Sequence, residues 1–262
     1  MHTSNIILTS AIALMSVLHA IPASASSKKQ ALPLPAQHAT AANSSALTAL
    51  QQWKAGEQVD MQSVKSFGID RCFVSLSISD STFRRMQGKS FKADCTIPRA
   101  QLRYLKLLHY TINGKIQLGE LVCHKDISAD LIDIFRRLFD AHYPIERMVL
   151  IDNYGADDEL SMNANNTTCF NFRRVAGSKT LSNHSKGKAV DVNPLYNPYV
   201  KRRADGTLKI SPKAGKAYAN RSHDFSYKID RNDLCYKEFI QHGFQWGGSW
   251  KSLKDYQHFE KK

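Results

Sequence analysis

Two stretches of the 262-residue chain hold residue types suited to metal chemistry. In Ser182-Asn183-His184-Ser185-Lys186-Gly187-Lys188-Ala189-Val190-Asp191, an imidazole and a carboxylate stand with six residues between them. A turn at Gly187, which lacks Cβ and accepts positive φ, would fold the segment back so that both reach one ion. Imidazole nitrogen and carboxylate oxygen are good zinc donors at ~2.0–2.2 Å. Asp255-Tyr256-Gln257-His258-Phe259-Glu260 offers a third donor, His258. Asp255 stands three positions before it, so the two face the same way on a helical turn or tight bend. Three protein donors with a fourth position open are what separate a catalytic zinc from a structural one. Asp255 would then take a proton from an attacking water and return it to a leaving amine. The oxyanion that develops calls for a further cation, and Arg173, upstream of His184, is the candidate.

Taken singly, each residue has a blander use. A histidine can be a hydrogen-bonded core residue, an aspartate a cap, and an arginine one of 36 solvated basic side chains. The combination carries the signal. Ser182 and Asn193 are suited either to holding the donors in place or to plain turn bonding. Glu260 could orient His258 through its second nitrogen. Trp246 and Trp250 read first as core packing and second as a groove wall. Lys186 and Lys188 beside Gly187 suit an acidic substrate or simply a solvated face. His223 and His242 are not read as ligands; His242, just before Gly243, suits a helix C-terminus.

The elements that must position these residues follow from patterning. Residues 105–112 and 115–123 are apolar-rich runs on either side of Asn113-Gly114, the mark of a two-residue hairpin. Ser128 can cap a helix to about His142. Its apolar positions Leu131, Ile134, Phe135, Leu138 and Phe139 recur at helical spacing, and Pro144 ends it. Residues 148–151 read as a short buried strand and 152–168 as a polar loop. Residues 233–242 read as a second helix stopped by Gly243. Strands and helices do not alternate regularly, so the expected fold is α+β with a small antiparallel sheet.

The formal charge of +13 points to an anionic partner. Residues 6–18 are mostly apolar and uncharged, and Ala23-Ser24-Ala25 follows as a small-x-small cleavage pattern. Residues 1–25 are therefore read as a signal peptide, although no Lys or Arg precedes the apolar run. Export would make a nucleic-acid partner improbable, and the chain has no basic helix or aromatic-basic ladder to favour one. After signal removal no membrane span is expected. Residues 26–65 read as a flexible leader, with a short helix conceivable within 47–67, and residues 66–262 as the functional domain. Cys72, Cys95, Cys123, Cys169 and Cys235 form no C-x-x-C pair, so no thiolate zinc site is indicated. One or two disulfides would suit an oxidising compartment, leaving at least one thiol over.

S-x-H-x-x-G-x-A-x-D-x-N-P at Ser182 to Pro194, followed by D-x-x-H-F-E at Asp255 to Glu260, resembles the VanY-like D-alanyl-D-alanine carboxypeptidases. That family includes the L-alanyl-D-glutamate peptidases of phage endolysins. Trp246-Gly247-Gly248-Ser249-Trp250 is similar to the endolysin-like branch. Tyr143-Pro144-Ile145, Asp157-Asp158, Asn165-Asn166-Thr167 and Phe170-Asn171-Phe172-Arg173 share that likeness, which runs over residues 78–260. The resemblance implies one zinc per chain on His184, Asp191 and His258. It implies Asp255 as the catalytic carboxylate, where other branches carry Glu, and Arg173 at the substrate carbonyl or oxyanion. It implies a small antiparallel sheet with flanking helices and the zinc in a groove over the sheet. The expected protein is an exported zinc peptidase, periplasmic or extracellular at the cell wall and monomeric. It would cut peptidoglycan stem peptides, either removing terminal D-alanine or cleaving internally. The competing reading is a catalytically inactive zinc-containing wall-binding module, which the presence of Asp255 disfavours.

Overall fold

The computed structural model describes residues 36–175 and 177–262, and the compact unit starts at Ala36. The signal segment read over residues 1–25, and the first ten leader residues, lie outside the described residues. In chain order the elements begin with α1 (Ala36–Gln52), β1 (Gln58–Val59), α2 (Met61–Phe67), β2 (Val74–Ser77) and α3 (Asp80–Met86). The hairpin strands β3 (Leu102–Tyr110) and β4 (Ile116–His124) follow, then α4 (Ser128–Asp140) and α5 (Asp158–Asn163). The chain continues through β5 (Ala189–Asp191), β6 (Tyr199–Arg202), β7 (Leu208–Ser211) and α6 (Leu234–Gln241). It closes with β8 (Gln245–Trp246), β9 (Lys254–Asp255) and β10 (His258–Glu260). The described residues form three antiparallel sheets, ordered β1-β4-β3-β2, β5-β10-β8 and β7-β6-β9. The fold is α+β, as the patterning predicts.

The largest sheet is the frame. Leu131, Ile134, Phe135, Leu138 and Phe139 of α4 are all buried, with α4 packed on β3, so the helical stripe read from sequence is the core face. Full burial of each such side chain is worth about 1.5–3 kcal/mol. Ser128 opens the helix but donates its hydroxyl to Lys125 O, and Ile127 holds the capping position. The hairpin turn is longer than expected: the strands end at Tyr110 and Ile116, and Thr111 N bonds Lys115 O. Only Gly114 takes positive φ (69°), so Asn113-Gly114 does not form the two-residue turn that needs it at both positions. Residues 148–151 run alongside β4 through the bond from Glu120 N to Met148 O, but Ile151 already begins a 3-10 turn. The polar stretch after it holds α5, capped by Asp157.

The segment read as a leader over residues 26–65 carries α1, β1 and part of α2 from Ala36 onward. Leu50, Trp53, Val59 and Val64 are buried in the core, Trp53 Nε1 donates to Gly119 O, and β1 pairs with β4. A few apolar side chains spaced through a Ser/Ala/Gln-rich segment suffice to dock it, which composition averages out. All five cysteines are free thiols. Burial raises the thiols of Cys72, Cys123, Cys169 and Cys235, which suits inert core positions. Among the described residues no helix is long and apolar enough to cross a membrane.

Candidate metal centre

His184 sits in a 3-10 turn, Asn183–Lys186, whose first backbone amides are capped by Ser182; its Oγ accepts from His184 N at 3.3 Å. Gly187 ends the turn in the left-handed region, φ 66°. A Cβ there would lie 2.7 Å from His124 N, so the turn is seated against the end of β4 as only glycine allows. The chain then enters β5, where Asp191 lies directly across from His258 of β10. Directly opposed residues of an antiparallel pair share a face with their Cβ atoms about 4.5–5.5 Å apart. Two of the three sequence-read donors are thus brought together by one rung of sheet, and the turn adds the third.

The result is a tight triangle. His184 Nε2 is 3.2 Å from His258 Nδ1 and 3.2 Å from Asp191 Oδ2, and His258 Nδ1 is 3.0 Å from Asp191 Oδ1. All three side chains are buried. The outer nitrogens are occupied: His184 Nδ1 reaches Cys169 O at 2.7 Å, and His258 Nε2 reaches Glu260 Oε2 at 3.0 Å. With protons on those outer atoms, the remaining lone pair of each ring faces inward toward the Asp191 carboxylate. Such convergent electron pairs repel unless a cation sits among them. Four donors at ~2.05 Å around a tetrahedral ion stand about 3.3 Å apart, close to the observed edges. The electrostatics show a site that stabilises positive charge. Burial opposes ionisation of Asp191. Even so, the His184 and His258 charges hold Asp191 well below the usual carboxylate range. Burial likewise opposes the His258 cation, but bonds to Asp191 and Glu260 push it up to about 10. The donor set fits a divalent zinc.

The positioning of His258 extends outward. Glu260 Oε2 also accepts from Asn183 Nδ2 at 2.7 Å, so the residue beside His184 steadies the residue that orients His258. Glu260 thus orients the ring as the sequence suggested. Sequence reading does not single out Asn183, although its place next to a donor is a usable signal.

Asp255 lies on β9 within the electrostatic reach of all three donors. Its Oδ1 is buried without a hydrogen-bond partner, and burial pushes the carboxyl up to about 6. Gly247 lets β9 and β10 come this close, since a Cβ there would meet Asp255 O at 2.6 Å and His258 Cβ at 3.3 Å. The tryptophans divide the two readings between them. Trp246 is core, its Nε1 donating to Tyr256 O, whereas Trp250 is half-buried with its ring 5.3 Å from that of His258.

Arg173 is placed differently. Its backbone flanks the turn, with Arg173 N bonded to Ser185 Oγ and Ser182 N to Arg173 O. Its guanidinium pairs with Asp158, at the first residue of α5. Among the described residues no hydrogen bond or ion pair joins that guanidinium to the three donors. Sequence reading noticed Asp158 only as half of a pair. Asn193 makes turn and network bonds, accepting from Glu146 N and donating to Pro144 O, rather than touching a donor. Lys188 pairs with Asp126, and His242 bonds Glu238 O and Asp133 away from the centre.

Residues 176–261 match the family model described as D-alanyl-D-alanine carboxypeptidase. That match covers 86 of the chain's 262 residues. It contains His184, Asp191, Asp255 and His258, whereas Arg173 precedes its first residue. Neither the curated proteins nor the solved structures offer a match to the chain. The likeness over this segment is to peptidases, and the His/Asp/His cluster within it could hold a metal ion.

Proposed function

We propose that the protein is an exported, monomeric zinc peptidase that hydrolyses peptidoglycan stem peptides. One observation carries this reading: donor atoms of two imidazoles and one carboxylate meet within 4.8 Å, beside Asp255, whose buried Oδ1 has no partner. Zinc on His184, Asp191 and His258 would supply a Lewis acid and lower the pKa of bound water to about 7. Asp255 is the proton carrier in this reading. A carboxyl pushed up to about 6 is mostly ionised at neutral pH, yet basic enough to take a proton from water and give it to the leaving amine. Arg173, steadied by Asp158 and the Ser182–Ser185 turn, offers a cation to the substrate carbonyl oxygen. Trp250 forms a wall beside His258 against which a peptide can lie. Release of terminal D-alanine follows the family description; a cut between L-alanine and D-glutamate follows the likeness of Trp246–Trp250 to the endolysin branch.

The test combines metal analysis with mass spectrometry of digested muropeptides. His184→Ala and His258→Ala are expected to lose both zinc and activity. Asp255→Ala is expected to keep zinc and lose activity by at least 100-fold, as for a general acid–base group. The mass of the released fragment identifies the bond. Undiminished turnover by Asp255→Ala refutes its role, and wall binding without any cleavage by the wild-type protein favours the binding module.

A further inference from the structure

The β6–β7 hairpin is an exposed cationic arm joined to the strand that carries Asp255. Residues 199–211 contain Lys201, Arg202, Arg203 and Lys209 against a single acid, Asp205. All four cations are exposed. Asp205 is turned onto Thr207, bonding its N at 2.9 Å and its Oγ1 at 2.6 Å. Arg202 and Arg203 bond Gly206 O and Thr207 Oγ1. Among the described residues neither Lys201 nor Lys209 has an ion-pair partner.

Register puts the two lysines in a telling place. Lys201 lies directly opposite Lys209, a like-charge cross-strand pair that costs stability. Tyr199 is opposite Ser211 on one side and Asp255 on the other, so these three form one row on one sheet face. Lys201 is two residues from Tyr199 and Lys209 two from Ser211, which places the lysine pair on that same face. At 3.2–3.4 Å per residue the two rows are about 7 Å apart. Lys209 Nζ lies 5.9 Å from the Tyr199 ring centroid, consistent with the shared face. Of the carboxylates beside the lysine pair, Asp255 lies one row away on the same face, and Glu159 is engaged with Ser211 Oγ and Lys213 N. Two unpaired cations opposed without an acid are a poor stability choice and a good anion receptor.

We propose that Lys201 and Lys209 form a receptor for a carboxylate carried by the peptide being cut, about one dipeptide along the sheet from the Asp255 row. This rests on the peptidase reading. It makes the protein selective for stem peptides with free carboxylates over their amidated forms.

The probes are two fluorescein-labelled synthetic peptides, L-Ala-γ-D-Glu-diaminopimelate-D-Ala-D-Ala and the same peptide with its side carboxylates amidated. Binding is read by anisotropy on the zinc-loaded Asp255→Ala chain, and hydrolysis separately on the wild-type chain. The carboxylated peptide is expected to bind about tenfold tighter, the scale of two exposed ion pairs. That ratio should approach one in 1 M salt, where the Debye length is about 3 Å, and in Lys201→Gln/Lys209→Gln. Lys237→Gln, which removes a charge from α6, should keep the ratio. A ratio of one before mutation, a ratio that survives the double substitution, or no binding of either peptide overturns the proposal. Failure of the wild-type chain to hydrolyse either peptide counts against the peptidase reading alone, because the binding ratio still decides the receptor.

Discussion

Gly187→Ala tests how firmly the metal turn is seated on the frame. Two costs can be worked out. The residue has φ 66°, and the left-handed region costs a residue with Cβ about 1–2 kcal/mol. The new Cβ would also stand 2.7 Å from His124 N and 3.1 Å from Cys123 C, both backbone atoms of β4 that no side-chain rotation can move aside. Relief requires the turn to lift, which strains the bond from His124 N to Gly187 O at 2.8 Å, worth about 1 kcal/mol. The sum is about 2–3 kcal/mol. Gly88→Ala is the internal control, since φ is 73° there and nothing lies within 4 Å, leaving only the conformational cost. Urea unfolding of both variants in chelator should show Gly187→Ala the less stable by about 1 kcal/mol or more. Zinc affinity should fall in Gly187→Ala alone, because lifting the turn displaces His184 from Asp191. Equal destabilisation by the two variants, with zinc affinity intact in both, would refute the argument that the close approach to β4 positions the donor.

Other expectations follow from the same geometry. Glu260→Ala frees His258 Nε2 and Asn183 together, so zinc affinity by competitive chelation should drop about 10–100-fold; Asn183→Ala should lower it less. His109 is buried with Nε2 unpartnered, and burial pushes it down to about 4 from an ordinary 6.5. The unfolded chain therefore binds the proton first. The stabilising contribution is complete above about pH 6.5 and is lost as pH falls toward 4, at about 1.36 kcal/mol per pH unit, or about 3 kcal/mol in all. Unfolding in chelator across that range should be steeper in pH for the wild-type chain than for His109→Gln, and parallel curves would sink the assignment.

The donors were legible because their chemistry demands particular atoms at particular spacings. His184, Gly187 and Asp191 could be read together since a short turn leaves few ways to fold seven positions back on themselves. His258, 67 residues beyond Asp191, could be read only through its motif; no local rule predicts that β10 pairs with β5. The α4 stripe was legible because a 3.6-residue period survives any tertiary context. The docking of α1, β1 and α2 was not, because it depends on Leu50, Trp53, Val59 and Val64 finding a core and a sheet edge formed later in the chain. The opposition of Lys201 to Lys209 is likewise invisible until register is known.

β10 is the middle strand of its sheet, with β5 on one side and β8 on the other, and it bears His258. Ion occupancy and the docking of this strand are therefore one equilibrium viewed from two ends. Any excursion that peels β10 away leaves two donors, too few to retain a zinc tightly, while a bound ion holds β10 shut by mass action. Chelation should then loosen β5, β10 and β8 ahead of the β3–β4 frame, and amide exchange in those strands would serve as a gauge of how fully the protein is charged with metal.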